Sequence, residues 1–272
     1  MIDLKYPVLL VHGISFRDMK HVCYWGRIPK ALRAEGVDVY FGEQDSNATA
    51  EDNAEFLAER IKMLCAEHNI EKFNIIAHSK GGLDIRYMLS HLNMADYVAS
   101  LTTVGTPHNG SYAVDMLMTW HQWFFKSYAK FTDNWLKLFG DKKPNAYKVY
   151  RSFMTSSAEV FNRENPDVPG VYYQSYATVC KSFIGDPVFL ITYPYVKKHG
   201  GDRNDGLVTP RDVKWGNFRG VYEGKSWRGV SHCDVVDMTR LPLAFGKNEG
   251  NKIADIRQFY VDIVRDLAEM GF

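Results

Sequence analysis

The chain has 272 residues with 33 Lys and Arg against 32 Asp and Glu, a formal net charge of +1. No block of either sign stands out, which argues against nucleic acid or an anionic membrane surface as a partner. Hydrophobic residues make up 46% and aromatic residues 14%, enough to bury a substantial core, yet no apolar stretch reaches the ~18 residues of a transmembrane segment. Four widely spaced cysteines without a CxxC pair exclude a zinc ribbon or a thioredoxin-like site and are expected as free thiols.

PVLLV (residues 7–11) reads as a buried strand that ends directly in HG. No signal peptide is legible, which leaves the compartment of a soluble chain open between cytoplasmic and secreted. WGRIPKALRAEG predicts a helix ending at Gly36, and VDVYF a second strand. Thr49 with Asp52 three residues on forms a capping box, after which Ala54, Leu57, Ile61 and Leu64 recur at helical spacing. KFNIIA predicts a strand, GGLDIRYMLSHL a helix and VASLTTVG a further strand. Strands alternating with helices imply a mostly parallel sheet, of about six strands, covered on both faces.

Residues 112–165 break that pattern. Trp120, Trp123, Phe124, Phe125, Tyr128 and Phe131 crowd a segment with no strand signal. Two or three helices inserted over the sheet as a substrate-binding lid are expected, against the plainer reading of a helix face packed on the core. GVYYQSYATV (170–179) returns as a strand, followed by a long loop-rich stretch containing GGDRNDGLVTP. NKIADIRQFYVDIVRDLA places Ile253, Ile256, Phe259, Ile263 and Leu267 on one face, predicting a C-terminal helix docked on the sheet. No repeat or linker appears, and 1–272 reads as one domain.

NIIAHSKGG (74–82) carries the chemistry. A serine between small residues, after a buried strand and before a helix, is a nucleophile elbow; a helix-capping serine is the alternative. A serine hydroxyl needs a base and the base an orienting carboxylate, in the chain order Ser, acid, His on such a sheet. Asp186, Asp202, Asp205 and Asp212 all follow the strand at 170–179. The NDG turn favours Asp205, with Asp202 in reserve, and of nine histidines only His232 lies beyond. GGDRNDG is not an EF-hand loop, its glycine falling too early and no glutamate closing it. The oxyanion donors are expected from the backbone N–H groups of Lys80, after the nucleophile, and Ile14, in the loop after the first strand. The Lys80 ammonium is expected in solvent.

In combination, YPVLLVHG, NIIAHSKGGLDIRY, TTVGTPHNGS, NDGLV and SHCDVVD resemble the secreted bacterial triacylglycerol lipases of the Pseudomonas, Burkholderia and Proteus type. The resemblance covers residues 6–112 well and 170–240 in pieces. It implies an α/β-hydrolase fold lacking its first two strands and hydrolysis of carboxylic esters of lipids. It also implies one structural calcium holding the histidine loop, with carboxylates from Asp186 and Asp234 and main-chain carbonyls near Met238 and Pro242; no organic cofactor is implied. Ala77 departs from the usual glycine, as in lipases of the Bacillus type. No cysteine stands where the Pseudomonas enzymes close a disulfide, so secretion and chaperone dependence do not carry over.

The leading reading is thus a lipase or long-chain esterase working through an acyl-enzyme on Ser79. A short-chain esterase, a thioesterase or an acyltransferase would use the same triad, and a non-catalytic binding protein would be expected to lack part of it.

Overall fold

The computed structural model describes residues 1–15, 23–119, 122–201, 203–240 and 242–272, without the side chains of 122–125. Trp120 and the reserve acid Asp202 therefore lie outside the described residues, as do the side chains of Trp123, Phe124 and Phe125.

Seven strands, β1 (Val8–Val11), β2 (Val39–Phe41), β3 (Phe73–His78), β4 (Val98–Val104), β5 (Tyr172–Val179), β6 (Asn217–Gly224) and β7 (Lys252–Ile253), form one sheet in the order β2-β1-β3-β4-β5-β6-β7. Every pairing is parallel. Strand residues alternate between two buried layers, as the period of two requires. Val8, Leu10 and Ile76 join Trp25, Ile28, Phe259 and Tyr260 on one face, against helices α1 (Ile28–Ala34) and α9 (Ile256–Glu269). Leu9, Val11 and Ile75 meet Leu57, Ile61, Ile85 and Met88 on the other, against α2 (Ala50–His68) and α3 (Lys80–His91). Each such side chain, fully buried, contributes about 1.5–3 kcal/mol over its exposed state.

Local signals explain most boundaries. Thr49 caps α2 by accepting from the Asp52 N–H, and Asn69 ends it in the left-handed conformation. Pro29 at the start of α1 moves the helix onset from the expected Trp25 to Ile28 and leaves Trp25 as a core residue.

Four expectations change. β6 lies in the stretch expected to be loop: most of NFRGVYEG is only half-buried, so it carries no apolar run. The same stretch also contains helix α8 (Thr192–Gly200). β7 takes Ile253 out of the C-terminal helix, which begins after Asp255, whose side chain accepts from the Arg257 N–H. With these two added to the five strands read from the sequence, the sheet has seven, against the expected six or so. Finally, the insert between β4 and β5 holds four helices rather than two or three: α4 (Tyr112–Met118), α5 (Gln122–Leu138), α6 (Ala146–Ser152) and α7 (Thr155–Glu164).

The insert is pinned to the sheet by buried polar groups. Asp141 accepts from the Ser46 N–H, the Ser46 hydroxyl and the Asn47 N–H at 2.8–3.0 Å. Arg86 of α3 donates to Asn162 Oδ1 and Asn165 O, both at 2.8 Å, while its guanidinium lies 3.5 Å from the Trp215 ring centre.

Candidate active site

The site forms beyond the carboxyl ends of the parallel strands, where loops converge. At the end of β3 the chain reverses sharply into α3, and Ser79 occupies the corner with φ 52° and ψ −126°. That conformation is sparsely populated for a residue with a Cβ and stores strain at functional corners. Its neighbours must be small. A methyl at Gly81 would lie 2.5 Å from the His12 carbonyl oxygen, and one at Gly82 2.3 Å from Thr106 Oγ1. The Ser79 N–H donates to the Val104 carbonyl at 3.1 Å, which ties the corner to β4.

Gly13 explains the HG that closes β1. A methyl there would lie 2.9 Å from Ser79 Cβ, so only glycine lets this loop approach the serine. Ile14 follows directly and packs its side chain with Leu83, Val114, Val149 and Phe153. Lys80 is the first residue of α3, so its N–H has no acceptor within the helix. The two residues expected to supply the oxyanion donors thus lie next to groups at the serine, Ile14 after Gly13 and Lys80 after Ser79 itself.

His232 reaches the same corner from the loop after β6. Its Nδ1 lies 2.7 Å from Asp205 Oδ2, and its backbone N–H donates to the Asp205 carbonyl at 2.9 Å. The Asp205 carboxylate is fixed in turn: Oδ1 accepts from the Leu207 and Val208 N–H groups, both at 2.9 Å. Gly206 (φ 107°) makes this turn possible, because a Cβ there would collide with the Phe189 ring. Of the other acids considered, Asp212 accepts from Thr209 and Asp186 from Ser231, and neither touches His232. The His232 ring lies over Gly105, where a methyl would meet it at 3.3 Å. Gly105 adjoins Val104, the acceptor of the Ser79 N–H, so Ser79, His232 and Asp205 share one corner. Ser79 and His232 are each only 7% exposed.

Two features escape a reading of the sequence. His78 lies beside His232, ring centres 4.5 Å apart with the planes tilted by 46°, and the Tyr24 hydroxyl lies 2.7 Å from its Nδ1. Burial, followed by the neighbouring His232, pushes His78 well below the usual imidazole range and keeps it neutral. A neutral ring there does not repel a proton on His232. The nearest signal was the H preceding the serine, which looks like any strand residue. Lys80 also differs from expectation: its ammonium is not in solvent but buried, 2.6 and 2.7 Å from the oxygens of Asp84. The i, i+4 spacing of KGGLD was the available signal.

The expected calcium ligands do not fit a divalent ion. Calcium takes 6–8 oxygens at 2.3–2.6 Å, yet every oxygen of Asp186 and Asp234 already accepts an internal hydrogen bond. Asp234 faces the Arg228 guanidinium at 3.1 Å. Met238 is partly exposed, and Pro242 lines a separate small cavity with Arg27 and Arg257. Among the described residues, no group of three or more His, Cys, Asp or Glu side chains could hold a metal.

Of the expected lid residues, Tyr128 and Phe131 sit on α5, 51% and 70% exposed, with Trp135 and Leu138 further along the same helix also exposed. They stand outward from the core. Among the described residues, no helix is long and apolar enough to cross a membrane.

An α/β-hydrolase with a serine at its elbow and a carboxylate-bound histidine beside it is the class that fold and site define. Residues 7–184 match the model of the palmitoyl protein thioesterase family. The chain belongs to that family of α/β-hydrolases. It is 30% identical over 275 residues to triacylglycerol lipase 2 of Saccharomyces cerevisiae, an alignment covering 95% of this chain and 77% of the yeast protein. A triacylglycerol lipase of Vibrio cholerae is 35% identical over 114 residues, 42% of this chain and 36% of the relative. The chain thus aligns with about a third of that bacterial relative. Among solved structures, Staphylococcus hyicus lipase superposes with a TM-score of 0.70 at 16% identity, covering 99% of this chain and 97% of that one. A mature Bacillus licheniformis lipase gives 0.67 at 21% identity, covering 87% and 89%. At such identities the structures speak to the fold alone.

Proposed function

We propose that this protein is a carboxylic ester hydrolase acting on lipid esters, with Ser79 as nucleophile, His232 as general base and then general acid, and Asp205 as the carboxylate that orients His232. The observation that carries this reading is the 2.7 Å contact of His232 Nδ1 with a buried carboxylate. It commits Nδ1 to Asp205 and leaves Nε2 to take the proton of the Ser79 hydroxyl. Ser79 Oγ attacks the ester carbonyl, and the N–H groups of Ile14 and Lys80 hold the oxyanion. The imidazolium then protonates the departing alkoxide, and water, activated by the same imidazole, releases the acid. The likeness to the yeast lipase over most of both chains supports a lipid ester as substrate. The low exposure of Ser79 and His232 and the apolar residues of α5 support a lid role for the insert.

A thioesterase is the second reading, favoured by the family model that covers residues 7–184. The same acyl-enzyme serves both, because only the leaving group differs. Hydrolysis of p-nitrophenyl esters from acetyl to palmitoyl, of emulsified triolein and of a palmitoyl thioester separates them. Activity that rises with chain length and persists on triolein, and is lost in Ser79→Ala, is expected. Turnover of the thioester alone would favour the second reading, and undiminished activity in Ser79→Ala would refute the assignment of the nucleophile.

A further inference from the structure

His232 sits on a loop, and a histidine base is only as well placed as its support. Two segments meet behind it: residues 180–189 after β5 and residues 225–239 after β6. They are joined by backbone first. The Lys181 N–H donates to the Arg228 carbonyl at 3.0 Å, and Gly185 approaches so closely that a methyl would lie 3.0 Å from that same oxygen. Side chains complete the junction. Arg228 Nε donates to the Gly185 carbonyl at 2.7 Å, while its Nη2 reaches both oxygens of Asp234 at 3.1 and 3.2 Å. The Ser231 hydroxyl donates to Asp186 at 2.6 Å and accepts from the Asp234 N–H at 3.0 Å. Asp234 is 3% exposed, so its charge is desolvated and must be paired.

We propose that Arg228 takes the place that calcium holds in the lipases this chain resembles: a positioning residue that straps the loop after β5 to the loop carrying His232. One planar cation serves where a calcium ion would, because its fork donates to a carbonyl on one loop and to a carboxylate on the other. The arrangement accounts for Asp186 and Asp234 standing at the spacing of metal ligands while every carboxylate oxygen is already engaged. It also fixes both neighbours of His232, since Ser231 and Cys233 belong to the strapped segment. The proposal rests on His232 being the base, and its test therefore includes readouts that need no activity.

Thermal unfolding, terbium luminescence and kinetics are measured on the wild type and on Arg228→Ala, with EDTA and then with added calcium. In the wild type, EDTA and calcium leave Tm and kcat unchanged and terbium does not bind. Arg228→Ala lowers Tm by on the order of 5 °C and kcat by about 10- to 100-fold, with KM unchanged. With the guanidinium gone, the two carboxylates bind calcium or terbium, and calcium restores part of both quantities. A wild-type Tm that falls on chelation overturns the proposal, as does an Arg228→Ala variant with wild-type Tm and kcat. Failure of calcium to restore either quantity also overturns it. Should Arg228→Ala not fold, Arg228→Lys keeps the charge without the fork, and an intermediate kcat at unchanged KM is expected; a wild-type kcat in that variant overturns the proposal. Loss of catalysis in Ser79→Ala tests the nucleophile separately and leaves the Tm and terbium readings intact.

Discussion

Lys80 and Asp84 form an ion pair one helical turn apart in which the ammonium is 3% and the carboxylate 1% exposed. Asn53 of α2 donates to the same carboxylate at 2.8 Å, so the pair also fastens α2 to the elbow helix. Asp84 is pushed above the usual carboxylate range by burial, which the Lys80 charge opposes. Removing one partner leaves a buried charge uncompensated. Lys80→Met is expected to destabilise by about 3–5 kcal/mol, measured by urea unfolding. Adding Asp84→Asn recovers much of that loss, because the orphaned charge goes with it. A double variant as unstable as the sum of the single changes would show that the pair acts through shape alone.

Asp205→Asn tests the orienting carboxylate. An amide can keep the Leu207 and Val208 contacts through its oxygen but presents an N–H to His232, which turns the imidazole to the wrong tautomer. A fall in kcat of about 10⁴ is expected, with the melting temperature little changed. A loss below tenfold would hand the role to another acid.

Asp212 sets a pH dependence of stability. Burial raises its carboxyl from 3.8 to about 6, opposed by the hydrogen bonds from Thr209. Its folded pKa lies above the unfolded one, so between those values the folded state binds the extra proton, and stability declines as pH rises through the window. Asp212→Asn keeps an acceptor for Thr209 and removes the charge. It is expected to stabilise by on the order of 2 kcal/mol near pH 7.5 and to change little near pH 4. Denaturant unfolding at both values checks this; an equal effect at both would mean that the carboxyl is not the cause.

Arg86 is the buried cation that binds the insert to α3. Burial lowers it to about 10, and it is held by Asn162, the Asn165 carbonyl and the Trp215 face. Arg86→Met is expected to cost about 3 kcal/mol by leaving those acceptors unpaired. Arg86→Lys restores little, since an ammonium has neither the fork nor the flat face. Calorimetric melting reads both variants, and an unchanged Tm in Arg86→Met would refute the role.

Legibility of the chain followed burial. β1, β3 and β4 are buried along their full length and read directly from apolar runs, and the elbow was legible because its small residues are sterically required. Asp205 could be chosen over its neighbours because NDG is a turn that needs its glycine. β6 stayed hidden because a half-buried strand near the edge needs no apolar run. The partners of charged groups were hidden for another reason. Lys80 and Arg228 look like ordinary surface residues in sequence, and only their positions in space show that one meets Asp84 and the other Asp234. The same limit applies to the carboxylates: the resemblance implied a metal, whereas proximity supplies a guanidinium.

The helical insert leaves the sheet after β4 and returns at β5, and these two strands are immediate neighbours, paired from Ser100 with Tyr172 to Val104 with Tyr176. Departure and return are therefore closed by the sheet itself, whatever length of chain lies between. The residues of the elbow and of the His232–Asp205 contact all lie outside that interval, although the interval packs on Ile14 and bonds to Arg86. The insert can thus be lengthened or shortened without breaking a strand pairing, so long as the residues that face Ile14 and Arg86 are kept.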